Sequence, residues 1–154
     1  MIQENGQSAD KNELESAYLA GFVDADGCIG LHKQPTSKGN KKYNFVPSVS
    51  ITTTCKKTFQ FLDILLSKRQ YGHHTVLRKV KKYNWKDRYQ IECRGMKRCQ
   101  KILDDIQKHL ITKKEEALNV LKFIKLRQSH SKMIPYSKKE LECVENVKLA
   151  KLTR

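Results

Sequence analysis

Apolar positions change period along the chain, and the changes mark the elements. Leu14, Ala17, Tyr18, Gly21 and Phe22 fall at helical spacing. Asn12 and Glu15 form a capping pair at the start of that helix, and Gly27 is placed to end it in a left-handed conformation. Residues 28–34 then alternate partially, with Ile29 and Leu31 on one face. Pro35–Asn40 reads as a turn or long hairpin tip. From Tyr43 to Thr54 the alternation is clear: Val49 and Ile51 point one way, and Ser48, Ser50 and Thr52 the other. A helix over 56–68 follows, with Phe59, Leu62, Leu65 and Leu66 as its stripe. A second hairpin runs from His74 to Lys82 and from Asp87 to Arg94, with its tip at Tyr83–Lys86.

Three more helices close the chain. Cys99, Ile102, Leu103 and Ile106 predict one over 96–109. Thr112 and Glu115 form a capping box for the next, which runs to about Leu126 through Ala117, Val120, Leu121 and Ile124. Pro135 interrupts, and Ser137 with Glu140 opens the last, over 138–150. The order is that of an α+β fold, an αββαββα core of four antiparallel strands with helices on one side, plus C-terminal helices. Residues 1–11 are polar and read as a flexible tail ahead of one domain, 12–154.

Each hairpin has one apolar face and one polar or basic face. The open side would carry His32, Gln34, Ser48, Ser50, Thr52, Lys79, Lys81, Tyr83, Arg88 and Gln90, with Lys38, Lys41, Lys42, Lys82 and Lys86 at the tips. These residue types contact base edges and phosphates. The chain carries 31 Lys and Arg against 16 Asp and Glu, a net charge of +15 and a pI near 9.7. Counterion release makes nucleic acid the partner such an excess fits; the sheet face points to duplex DNA. No stretch approaches the roughly 20 apolar residues of a membrane span, so a membrane partner is not expected. Five cysteines without Cys-x-x-Cys spacing suit a reducing, intracellular setting, an organelle or a prokaryotic cytoplasm.

The first helix ends on Asp24 and Asp26. A helix C-terminus carries partial negative charge, so an acid there costs about 0.3–1 kcal/mol. Two acids at that end call for a cation or a bonded partner, of which a divalent metal is the simplest. Gly21 inside the helix costs about 1 kcal/mol against Ala, and points to another backbone passing close by.

Leu19-Ala20-Gly21-Phe22-Val23-Asp24-Ala25-Asp26-Gly27 resembles the signature of the LAGLIDADG homing endonucleases. Seven of nine positions match, and Phe22 and Val23 are apolar replacements. The element order over 12–128 is similar as well. The resemblance implies a homodimer joined through Tyr18, Gly21, Phe22 and Ala25, cutting a long, nearly palindromic duplex across the minor groove. It implies that Asp26 binds Mg²⁺ with help from the Ala25 carbonyl. It implies a basic side chain near the scissile phosphate, Lys113 with Lys114 as the close alternative. Many single-motif relatives carry a Gln at the end of the second strand, followed by a basic residue, to position solvent; here Thr54 or Thr53 stands in that region, with Lys56 or Lys57 for charge. Asp24 is open to a structural or a catalytic role. Two other readings share the fold: a maturase that binds its own intron RNA, and a non-catalytic DNA-binding protein.

Overall fold

A computed structural model describes residues 4–37 and 42–154. Its elements are α1 (Glu4–Asp26), β1 (Gly27–Pro35), β2 (Tyr43–Thr53), α2 (Lys56–Lys68), β3 (His74–Arg78), β4 (Arg88–Arg94), α3 (Met96–Ile106, continued by a 3-10 turn Gln107–His109), α4 (Lys114–Gln128) and α5 (Lys138–Leu152). The four strands form one antiparallel sheet in the order β1-β2-β4-β3, so β2 and β4 join the two hairpins at its centre.

One face of the sheet is the core. Ile29, Val49, Ile51, Ile91 and Cys93 meet Leu19, Ala20 and Val23 of α1, Leu62 and Leu66 of α2, and Ile102, Leu103 and Ile106 of α3. Val120, Ile124 and Val147 bring α4 and α5 onto the same mass. The period-2 and period-3.6 stripes converge there because a sheet face and a helix stripe can each shed water only against another such surface.

A smaller cluster, Phe45, Phe123, Cys143 and Val144, fixes the C-terminal helices. At its edge the buried Arg127 and Glu140 pair at 3.1 Å. Arg127 also donates to the Ser131 carbonyl at 3.0 Å and to that of Ile134, and its guanidinium lies 4.6 Å from the Tyr136 ring centroid. Glu140 closes the expected capping box with Ser137. Arg69 ties three helices together, reaching Asp105 at 3.0 Å and Ser16 at 3.2 Å. Among the described residues no helix is long and apolar enough to cross a membrane.

Several expectations are corrected. α1 begins at Glu4, so Asn12 is an interior helical residue and residues 4–11 are helix rather than a loose tail. Gly27 does not take a positive φ. It is required for space: a Cβ there would lie 2.6 Å from the Val23 Cα and 3.0 Å from the Ser50 carbonyl oxygen. Thr112 does not cap α4, whose N-cap is Lys113 without a side-chain cap bond. β3 stops at Arg78, because the Val80 N–H turns to the Asp87 carboxylate at 3.1 Å instead of a ladder carbonyl.

Breaking the Arg127–Glu140 pair leaves a buried charge unpaired, which costs about 3–5 kcal/mol. Arg127→Ala is therefore expected to lower the urea midpoint by that equivalent, and a change below about 1 kcal/mol would show that the pair is not essential. Burial raises the Glu140 carboxyl, yet the Ser137 N–H and Arg127 bring it to a net value below the ordinary 4.5. A depressed acid contributes stability above its unfolded value and loses it as pH falls through the folded one. Glu140→Gln should thus flatten the part of the stability curve that declines below about pH 4.5.

Candidate nuclease centre and DNA-facing sheet

The end of α1 is held by a reciprocal pair of contacts. The Asp24 carboxylate accepts the Ile111 N–H at 2.7 Å and the Lys113 N–H at 2.9 Å. In return the Lys113 ammonium donates to the Val23 carbonyl at 2.8 Å and to the Asp24 carbonyl at 2.5 Å. Lys113 is 4% exposed. Its charge lies on the orphan carbonyls of a helix C-terminus, where the dipole favours a cation. Burial pushes its ammonium below the ordinary lysine value and Arg154 adds to this, while Asp24 and Glu116 act in the opposite direction. Glu116 is itself buried, with Arg154 Nε 3.1 Å away. Asp24 thereby has a structural role, and Lys113 sits against the helix end rather than reaching out into solvent.

Asp26 differs from Asp24. It is exposed, and no side-chain hydrogen bond or ion pair engages it among the described residues. Ala25 beside it is exposed too. A carboxylate and a backbone carbonyl are hard oxygen donors of the kind Mg²⁺ or Ca²⁺ prefers. The described residues of one chain hold no cluster of three or more His, Cys, Asp or Glu. The donors therefore fit a divalent cation only with further oxygens from outside this chain, such as a second copy or a phosphate.

α1 has two faces. Leu19, Ala20 and Val23 are buried; the Leu14, Ala17, Tyr18, Gly21 and Ala25 stripe is exposed. Of the stripe that marks the helix in the sequence, Phe22 packs partly against the core, while Leu14, Ala17, Tyr18 and Gly21 stay exposed. A Cβ on Gly21 would meet nothing within 4 Å. The face continues onto α2, where Phe61 and Ile64 are exposed at 49% and 69%. Tyr18 packs edge-on against Phe22 and Phe61, with ring centroids 4.9 and 5.3 Å apart. Phe61 and Ile64 are absent from the sequence-derived interface; apolar residues on both sides of α2 were the available signal.

The strand register places Gln34, His32, Gly30 and Cys28 of β1 opposite Asn44, Val46, Ser48 and Ser50 of β2. Ser48, Ser50 and Thr52 face Arg94, Glu92 and Gln90 of β4, and Gln90 and Arg88 face Val76 and Arg78 of β3. His32, Gln34, Ser50, Thr52, Arg88 and Gln90 therefore share the face opposite the core. Ser48 shares it but is only 1% exposed. Arg78 and Arg94 join the set. Lys79, Lys81 and Tyr83 lie on the β3–β4 loop, not on the sheet, and Lys38 lies outside the described residues. On that loop Tyr83 is fully exposed, and Lys82 and Arg88 stand 5.2 and 5.8 Å from the Trp85 ring centroid. Thr54 is exposed at the end of β2, and the preceding Thr53 hydroxyl accepts the Cys55 N–H at 3.1 Å.

Hydrogen bonds to a charged group contribute about 1.5–3 kcal/mol each. Asp24→Ala is expected to reduce stability by about that much in urea unfolding, and Lys113→Met similarly. Wild-type stability in both variants would show that the helix end needs no such closure.

The model of the LAGLIDADG-like domain matches residues 13–125. No curated protein matches the chain in sequence. Among solved structures, the homing endonuclease I-CvuI, in complex with the I-CreI target in the presence of Mg, superposes with a TM-score of 0.69 at 23% identity, covering 94% of this chain and 84% of that one. The homing endonuclease I-TnaI gives 0.63 at 23% identity, covering 90% and 94%. I-SmaMI, bound to cleaved DNA, gives 0.61 at 21% identity over 84% of this chain, which spans only 41% of that one. With its motif helix, its αββαββα order and a family match over most of its length, the chain belongs to the LAGLIDADG family.

Proposed function

We propose that this chain is a site-specific, homodimeric homing endonuclease that makes a divalent-metal-dependent double-strand break in a long, nearly palindromic duplex. The observation that carries the reading is the exposed Asp26 at the end of a helix whose outward stripe, Leu14, Ala17, Tyr18, Gly21 and Ala25, faces solvent. Pairing two copies along that stripe removes apolar surface from water and brings two Asp26 carboxylates to one axis. Two such carboxylates repel unless cations lie between them, so assembly, metal and phosphate support one another.

Mg²⁺ is the cofactor proposed; when bound, it supplies Lewis-acid stabilisation of the phosphate and an activated water. The chain's own residues do the rest. Asp26 and the Ala25 carbonyl offer the oxygen donors. Lys113 serves as a positioning residue, holding the last turn of α1 so that Asp26 stays aimed outward. Thr54, exposed at the end of β2, is the hydroxyl placed to order solvent. His32, Gln34, Ser50, Thr52, Arg88 and Gln90 line the face that reads the grooves, and Lys79, Lys81 and Tyr83 extend it from the loop.

Two measurements test this. In a plasmid-library cleavage assay with Mg²⁺, Asp26→Asn should lose at least about 10²-fold in cutting, the scale of a preorganised charge in the transition state, while duplex binding persists. Equal loss of binding would remove Asp26 from the metal role, and binding without any cleavage by the wild type would favour the maturase or regulator. Gly21→Leu has open space in the single chain and improves helix propensity by up to about 1 kcal/mol. It should leave the monomer folded but halve the mass seen by sedimentation; an unchanged dimer would rule out this interface.

A further inference from the structure

We propose that Lys151 is a DNA-phosphate contact of the open sheet face, acting with Arg94 to seat the backbone beside Asp26. The proposal rests on the DNA-cutting reading above and deepens it. Lys151 lies in the last turn of α5, beyond the residues matched by the family model. β1 is an edge strand, and α5 passes alongside it. From there the Lys151 side chain reaches over the edge. Its ammonium lies 3.5 Å from the Cys28 Sγ, and a Cβ added to Gly30 would stand only 3.0 Å from it. Cys28 and Gly30 belong to the open face, in register with Ser50 and Ser48.

The ammonium therefore occupies the place where Gly30 lacks a side chain. The same cross-strand row continues through Ser48 to Arg94. At about 4.8 Å per strand step, the Gly30 and Arg94 backbones stand roughly 10 Å apart across a buried serine, so the two cations flank one stretch of the open face. Cys28 is two residues beyond Asp26, at the start of β1.

The charges here are not balanced from within. Glu92, the acid of the adjacent row, pairs with His74 at 3.0 Å. Among the described residues neither Lys151 nor Arg94 has a carboxylate within 4 Å. The field they leave is visible at His32, whose imidazole is pushed below its ordinary value by burial, then by Lys151 and Arg94, against an opposing pull from Glu92. An ammonium held over a glycine, with no internal anion, is placed for an external one. Long lysine stems also cover apolar surface, so a purely structural role is the alternative the test must separate.

Lys151→Met keeps the stem and removes the charge. Binding of a mixed-sequence duplex is followed through a salt titration, since each neutralised phosphate adds about 0.9 to the slope of log K against log salt. The expected result is a wild-type melting temperature with a slope reduced by about 0.9 per chain. In parallel, wild-type protein is acetylated at its amines with and without the duplex. Lys151 should be protected, while Lys139 on the same helix is not. The labelling decides the matter by itself should the variant fail to fold. A wild type that binds the duplex but shows Lys151 unprotected, with an unchanged slope in the variant, overturns this inference alone. A wild type that does not bind duplex at all overturns it together with the endonuclease reading.

Discussion

The C-terminus of α1 carries more negative charge than a helix end tolerates, and the molecule is arranged around relieving it. The dipole and the acids at positions 24 and 26 all have one sign. Two acids would cost about 0.6–2 kcal/mol against the dipole. The exchange between Asp24 and Lys113 reverses that balance: four hydrogen bonds, each with a charged partner, at about 1.5–3 kcal/mol apiece before desolvation. Because one acid and the orphan carbonyls are satisfied internally, the second acid is left free. Asp26 can stay exposed and unpaired only because Asp24 and Lys113 carry the structural task.

This constraint sets the roles of the two faces of α1. Val23 is buried and its carbonyl bonds to Lys113, so the inward face is fixed to the sheet by Leu19, Ala20 and Val23. Gly27 lets the chain turn straight from the helix into β1, passing so near Val23 and Ser50 that no Cβ fits. The outward face has no freedom to rotate inward and bury Leu14 or Tyr18. An apolar stripe held rigidly in solvent suits the proposed pairing of two chains, and its rigidity is what would set two Asp26 groups at a reproducible separation.

Local patterns disclosed most of the architecture, because alternation in β2 and β4 and the helical stripes of α2, α3 and α4 are properties of neighbouring residues. The capping box at Ser137 and Glu140 is equally local and was legible. What stayed hidden was set by distant partners. The Asp24 carboxylate bonds to a residue 89 positions away, and α4 starts from Lys113 there rather than from the local cap that Thr112 offered. Asp87 ended β3 early and moved Lys79, Lys81 and Tyr83 off the sheet. Ser48 has the right parity for the open face, yet parity says nothing of its burial. The stripe of α1 shows the opposite limit: periodicity located an apolar face but could not say whether its partner was this chain or another.

Net charge is a poor guide to which cations meet DNA, and α5 shows why. Some basic residues are consumed inside: Arg127 on Glu140, Lys113 on the helix end, Arg69 on Asp105. The buried Arg127–Glu140 pair gains little over a well-packed apolar pair, but it admits one placement of α5 against α4. That placement brings the far end of α5, three turns on, to the edge of β1. Together with the packing of Cys143, Val144 and Val147, an interior ion pair of modest net stability thus fixes where an exterior lysine stands. The charge that addresses a phosphate is positioned by a charge that never sees solvent, and a count of basic residues cannot tell the two apart.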